Sequence, residues 1–192
     1  YGSQMAAVFY HGFIMLLKLE NIINSFSDLL GKIAGLLLIL LLFNIFFDVI
    51  MRYLFNDVSI GMQEMEWHLY STMFLLGVSY SLRHNGHVRV DLFYERASYK
   101  TRAWIDLFGT LIFLLPFTLL VGYYGVDFVI DSYEMNEQSG DPGGLPYRWL
   151  IKSMIPFAFF SIALSGIGMV LHSINRIRGI HTDPEAHTGL FS

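Results

Sequence analysis

The chain has no cysteine, which excludes disulfides, thiolate metal sites and cysteine nucleophiles and leaves the redox compartment unreadable. Charge is scarce as well: 15% of its 192 residues are Asp, Glu, Lys or Arg, against about 25% in soluble domains. With a formal net charge of −4 and no concentrated basic patch, nothing here can displace counterions from a phosphate backbone, so nucleic acid is excluded as a partner. No internal repeat is visible, and the inverted-repeat signature of a self-sufficient secondary transporter is therefore missing. What is abundant is apolar. Hydrophobic residues make up 54% of the chain, with 17 Phe, 11 Tyr and 3 Trp, and mean hydropathy is +0.50. That composition belongs to an integral membrane protein.

The opening "YGSQMAAVF" reads as a tag scar followed by a native start at Met5. No signal peptide is expected, because the first apolar run lacks a small-residue cleavage site and hydrophobic segments continue to the far end. Four segments are long and apolar enough to cross a bilayer, which takes about 20 helical residues. They run roughly from Ile33 to Tyr53, Met65 to Leu82, Trp104 to Ile130 and Trp149 to Leu171. The second is the most polar, and Pro116 predicts a kink in the third. Helices are preferred over barrel strands because the runs are continuously apolar rather than alternating. The fold class expected is all-α: four transmembrane helices plus an amino-terminal amphipathic helix at the interface.

Basic residues set the orientation. Lys18, Lys32, Arg83, Arg89, Arg96, Lys100, Arg102, Arg176 and Arg178 fall on one side, and Arg52, Arg148 and Lys152 on the other. Both termini and the loop "RHNGHVRVD" are expected in the cytoplasm. Trp67 and Trp149 then fall at the outer interface and Trp104 at the inner one, as an aromatic belt requires. Residues 6–30, projected on a helix, put His11, Lys18, Asn21, Ser25 and Asp28 on one side and a row of apolar residues on the other, with Glu20 and Ile14 breaking the pattern. This predicts an amphipathic helix in the cytoplasmic interface, or one packed on another subunit. The organisation expected is residues 1–30 for the scar and interfacial helix, 31–175 for the membrane domain and 176–192 for a cytoplasmic tail.

Few residues point to chemistry. His84, His87 and Asp91 tempt a metal reading, but Asn85-Gly86 is a strong turn signal and a fourth ligand is missing. A topology-setting turn that touches lipid headgroups or a partner is the simpler reading. Asn44, Asp48 and Arg52 share one helix face at i, i+4, i+8. Such a stripe in a span should face protein, as an ion site or as a structural seam, and Arg52 beside Asp48 favours the seam. Glu64 and Glu66 open the second span, where carboxylates suit a helix amino terminus. Glu66 and Tyr70 share a face, as do Trp67 and Ser71, which allows either capping and packing or a cation site. His68 and His172 sit at opposite depths and cannot ligate one haem iron, so no cofactor and no metal is expected. Gly31-xxx-Gly35 and the small residues Ser161, Ser165, Gly166 and Gly168 predict close helix packing.

Three stretches then carry a resemblance: "RYLFN" after the first span, "QEMEWHLYSTMFLLGVSYSLRHNGHVRVDLFY" across the second, and "DPGGLPYRWLIKSMIPFAF" entering the fourth. In order and spacing they resemble the small membrane subunit (DctQ type) of tripartite ATP-independent periplasmic (TRAP) transporters over roughly residues 30–175. One departure is Glu66, where the resemblance implies Gln. The resemblance implies a non-enzymatic four-helix subunit of a bacterial or archaeal cytoplasmic membrane, bound to a larger membrane subunit that carries the substrate and sodium sites. A periplasmic binding protein would deliver a small, usually carboxylate-bearing, solute for sodium-driven symport, and this chain would act as a scaffold. Candidate contacts with the large subunit are Asn44, Asp48, Arg52, Glu64, Glu66 and Trp67. Arg83, His87, Arg89 and Asp91 form a cytoplasmic motif, and Glu134, Glu137, Asp141 and Arg148 are candidates for docking the binding protein. The rival is an autonomous four-helix exporter, which should hold a lone carboxylate mid-membrane. A membrane enzyme would need His, Asp or Glu clustered at one depth, which the sequence does not display.

Overall fold

The computed structural model describes residues 2–84 and 97–179, with side chains from Leu16 onward. Four helices account for most of them: α1, Gly2–Leu54; α2, Ile60–Arg83; α3, Tyr99–Glu134; and α4, Arg148–Ile177. The segment Leu16–Leu54 of α1, together with α3 and α4, is long and apolar enough to cross a membrane, with mean hydropathies of 2.7, 2.1 and 2.1. Helix α2 has 24 residues, about 36 Å at ~1.5 Å per residue, and so has the length. Its first half is too polar to qualify by composition, because Glu64, Glu66, His68, Ser71 and Thr72 crowd together there.

Helix α1 differs from what the pattern of residues 6–30 predicts. It is a single helix of 53 residues, about 80 Å long, with no turn between an interfacial piece and a span. The physical reason is the absence of a breaker: the first proline in the chain is Pro116, and lone glycines such as Gly31 and Gly35 cost a helix only ~1 kcal/mol each. One buried seam runs along it through Glu20, Ile23, Ser27, Leu30, Ala34, Leu41 and Asp48, with Leu37 partly buried between. Alternating steps of three and four define the 3.5-residue period of a left-handed coiled-coil interface. Residues 20–30 therefore belong to the bundle.

Against that seam α2 returns antiparallel, after a link closed by Asn56 in the left-handed region (φ 55°) and by Ser59, whose hydroxyl accepts the Met62 N–H at 3.3 Å. Leu30, Ala34 and Leu76 form the local core, with Phe26, Leu37 and Met73 around it. The Tyr80 ring lies directly on Gly31, where a Cβ would overlap it. Gly35 has open space and plays no comparable part.

Helix α4 is central. It touches α1, α2 and α3, while α3 makes substantial contact with α4 alone. The array thus runs α1, α2, α4, α3, with α1 also reaching α4. Small side chains permit this crowding: Ala158, Ser161, Ala163, Ser165, Gly166 and Gly168 are all buried. Ser27 and Ser165 share a hydrogen bond of 2.8 Å, and Gly168 faces Ile23. On the other side Gly122 lies under the Phe160 ring and Gly125 against Pro156.

The kink signal at Pro116 takes a specific form. Residues Thr110–Leu114 make a π turn in α3, closed by the Leu115 N–H on the Thr110 carbonyl. Proline lacks an N–H and its ring crowds the carbonyl four residues back. A wider turn just before it relieves that clash, as π turns inside α-helices do. Gly166 of α4 sits against this turn, where a Cβ would come within 2.6 Å of Leu114.

Candidate interaction surfaces

The chain is pinned at both ends. At the end holding the α1–α2 and α3–α4 links (the loop end), Glu64 is the hub. Ser139 Oγ donates to its Oε1 at 2.5 Å, the Leu145 N–H donates to its Oε2 at 2.6 Å, and Arg148 Nη2 approaches Oε1 at 3.5 Å. A carboxylate one turn into α2 thereby ties down the loop "SGDPGGLPYRW" 75 to 84 residues away. Glu64 precedes the apolar part of α2, and these donors hold its carboxyl below the usual glutamate range, the Ser139 hydroxyl first and the Leu145 N–H second. Glu137 is pulled the same way, chiefly by its hydrogen bond from Lys152. Lys152 also lies over the Phe128 ring, 4.1 Å from its centroid, and the Arg148 N–H donates to the Glu137 carbonyl at 3.1 Å.

The loop keeps a compact form through three left-handed residues. They are Asn136 (φ 47°), Gly143 (φ 85°) and Tyr147 (φ 60°), the last immediately before α4. Glycine takes such a φ without strain. Tyr133 and Trp149 close the corner edge to face at 5.6 Å. Glu134 and Asp141 point outward and are exposed.

At the opposite, terminal end three cross-links join the helices. Arg83 pairs with Asp28 and donates to the Asn24 carbonyl at 2.7 Å, while His84 reaches Asp28 at 3.2 Å. Glu20, buried, accepts from Asn175 Nδ2 at 2.8 Å and meets His172 Nδ1 at 2.9 Å. Arg176 pairs with Asp106 at 3.3 Å and stacks over Tyr99, 4.2 Å from the ring centroid. The first two tie α1 to α2 and α4; the third ties α3 to α4.

The polar stripe of α1 lies near the loop end. Asn44 Nδ2 donates to the Met62 carbonyl of α2 at 3.0 Å. Asp48 is 4% exposed and takes the Arg52 guanidinium at 2.5 Å. Asn44 thus meets α2 of the same chain, while Asp48 is buried beside Arg52 of its own helix. Glu66 is half-buried and Trp67 exposed on the flank of α2. Arg83 serves the terminal-end clamp, whereas His87, Arg89 and Asp91 lie outside the described residues.

The sequence assigned no contact to Glu20, Asp106 or Ser139, and Arg176 and Lys152 entered only as basic residues that set the orientation. Only Glu20 left a signal, as the charged residue on the wrong face of an amphipathic pattern. No group of three or more His, Asp or Glu side chains able to hold a metal occurs among the described residues. Among the described residues the arrangement binds helices together and presents surfaces. The family model of the tripartite ATP-independent periplasmic transporters, DctQ component, matches residues 41–176. No curated protein matches the sequence.

Proposed function

The chain belongs to the DctQ family of TRAP transporters, the small membrane subunit of these systems, and from that premise we propose that it is a rigid brace for the large membrane subunit. The observation that carries this reading is the double pinning: the helix array is cross-linked at its loop end through Glu64 and at its terminal end through Arg83, Glu20 and Arg176. A bundle tied at both ends resists shear, which is what a fixed domain needs while a neighbouring transport domain moves. In this reading all four helices cross the cytoplasmic membrane. The antiparallel return of α2 along α1 supports its crossing, because α2 sits between α1 and α4, where protein rather than lipid meets much of its polar surface.

The termini lie in the cytoplasm, supported by the lopsided basic residues, and the loop end faces the periplasm. Residues amino-terminal to Glu20 continue α1 on the cytoplasmic side. The loop end offers Glu134 and Asp141 to a periplasmic binding protein, while Glu137 and Arg148 hold the loop itself. Substrate and sodium sites belong to the large subunit, and the solute is a small carboxylate taken up with sodium. An autonomous exporter is disfavoured because the one buried carboxylate of the first span, Asp48, is neutralised by Arg52. Proteoliposomes test this directly. The small subunit alone should give no sodium-driven uptake, and the two membrane subunits with the binding protein should. Uptake by the small subunit alone would overturn the assignment.

A further inference from the structure

The two flanks of the array differ in a way that separates a lipid face from a protein face. From Ile33 to Val49 the outward side of α1 is apolar throughout, with Leu36, Ile39, Leu40, Phe43 and Phe47 exposed. Its only polar side chains in that stretch, Asn44 and Asp48, turn inward. The opposite flank, on α3, carries a charge among its apolar residues. Asp127 lies about 200° around the helix from Gly125, the residue that meets α4 at Pro156. It therefore points away from the rest of the chain, is exposed, and has no hydrogen bond or ion pair among the described residues.

Asp127 is not at the helix end. Two turns separate it from Glu134, the last residue of α3, and its neighbour Phe128 packs at the level of Lys152. Tyr123 and Tyr124, 67% and 63% exposed, lie one turn deeper and share this flank. An ionised side chain on a membrane helix is stable against protein or water and costly against lipid tails, and tyrosines with free hydroxyls suit a polar or interfacial neighbour. The α1 flank meets every requirement of a lipid contact and the α3 flank fails it.

We propose that the α3 flank centred on Tyr123, Tyr124 and Asp127 is the surface on which the large membrane subunit packs, and that this partner brings a cationic or N–H/O–H donor group to Asp127. The negative charge on an otherwise apolar helix face specifies the complement. The α1 flank faces lipid. This rests on the brace reading above and adds to it which side of the brace is joined.

The test uses the co-expressed complex, with a photo-crosslinking phenylalanine analogue at Tyr123 or, on the outward side of α1, at Phe47. Tyr123 should crosslink to the large subunit and Phe47 to lipid only. Crosslinking to the large subunit from Phe47 and not from Tyr123, or from neither while the subunits still copurify, overturns the flank assignment and leaves the proposed function standing. Failure of the wild-type subunits to copurify at all overturns the proposed function, and the flank assignment with it. Asp127→Leu should weaken retention of the large subunit by about 3- to 18-fold, the range for one interhelical hydrogen bond in a membrane. Asp127→Asn should keep most of it. Unchanged retention in Asp127→Leu overturns the role given to the carboxylate.

Discussion

Replacing Glu20 by Leu is the sharpest test of whether residues 20–30 are part of the bundle. The carboxylate accepts a hydrogen bond from Asn175, whose side chain is 1% exposed. A buried hydrogen bond to a charged group contributes ~1.5–3 kcal/mol, and its loss strands the amide. The His172 contact adds less: its ring is 46% exposed, and pairs open to solvent are worth ~0.2–1 kcal/mol. Leucine recovers part of this through apolar contact with Ile23 and the α4 face, leaving a net loss of roughly 2 kcal/mol. For a chain of this length that is a fall in melting temperature of about 4–8 °C. The assay is thermal unfolding in detergent followed by tryptophan fluorescence, with Trp104 near the affected end. Glu20→Gln, which keeps an acceptor for Asn175, should lose less than half as much. A Glu20→Leu variant as stable as wild type, with unchanged hydrogen exchange across residues 20–30, would refute the docking of this segment and restore a free interfacial helix.

Other consequences are more direct. In intact cells, cysteines placed at exposed Lys100 and Gly140 in this cysteine-free chain should react with an impermeant reagent only at Gly140; labelling of Lys100 instead would invert the topology. Charge reversal at Glu134 and Asp141 should weaken docking of the periplasmic binding protein, more so at low salt, with assembly of the membrane subunits intact. Reversal at Glu137 should instead loosen the loop, because it breaks the Lys152 pair; equal effects of the two on docking alone would show that the loop is not held as described. Glu64 and Glu137 have folded-state pKa values depressed by their donors. Their contribution is therefore complete above the ordinary glutamate range and lost as pH falls through the depressed values. Protection of the Leu145 amide against hydrogen exchange should hold from neutral pH through the ordinary glutamate range and fail only below it, whereas loss near neutrality would contradict the Glu64 latch.

Much of the helical architecture was legible before any tertiary structure. Long apolar runs without proline can satisfy their backbone in a membrane only as helices, and Ser59 and Ser98 cap α2 and α3 through local geometry. The small residues of α4 announced close packing, and Ser165, Gly166 and Gly168 deliver it. The stretch "DPGGLPYRW" is rich in the Gly and Pro of turns, which is visible in the sequence alone. These features depend on composition and on contacts within a few residues.

What tertiary structure decided is which way the polar groups look. Asn44, Asp48 and Arg52 share a face in any α-helix, but whether that face meets a partner or α2 depends on how the chain returns, and the link at residues 55–59 brings α2 back onto it. Glu20 appeared as a flaw in an amphipathic pattern because its partners, His172 and Asn175, stand 152 and 155 residues away. Asp127 drew no notice in the sequence, and only the packing of α3 on α4 alone turns it away from the rest of the chain. Periodicity along a helix says which residues share a side. The direction of that side is set by contacts far apart in sequence, where hydrogen bonds and close packing select one arrangement among several that the same pattern allows.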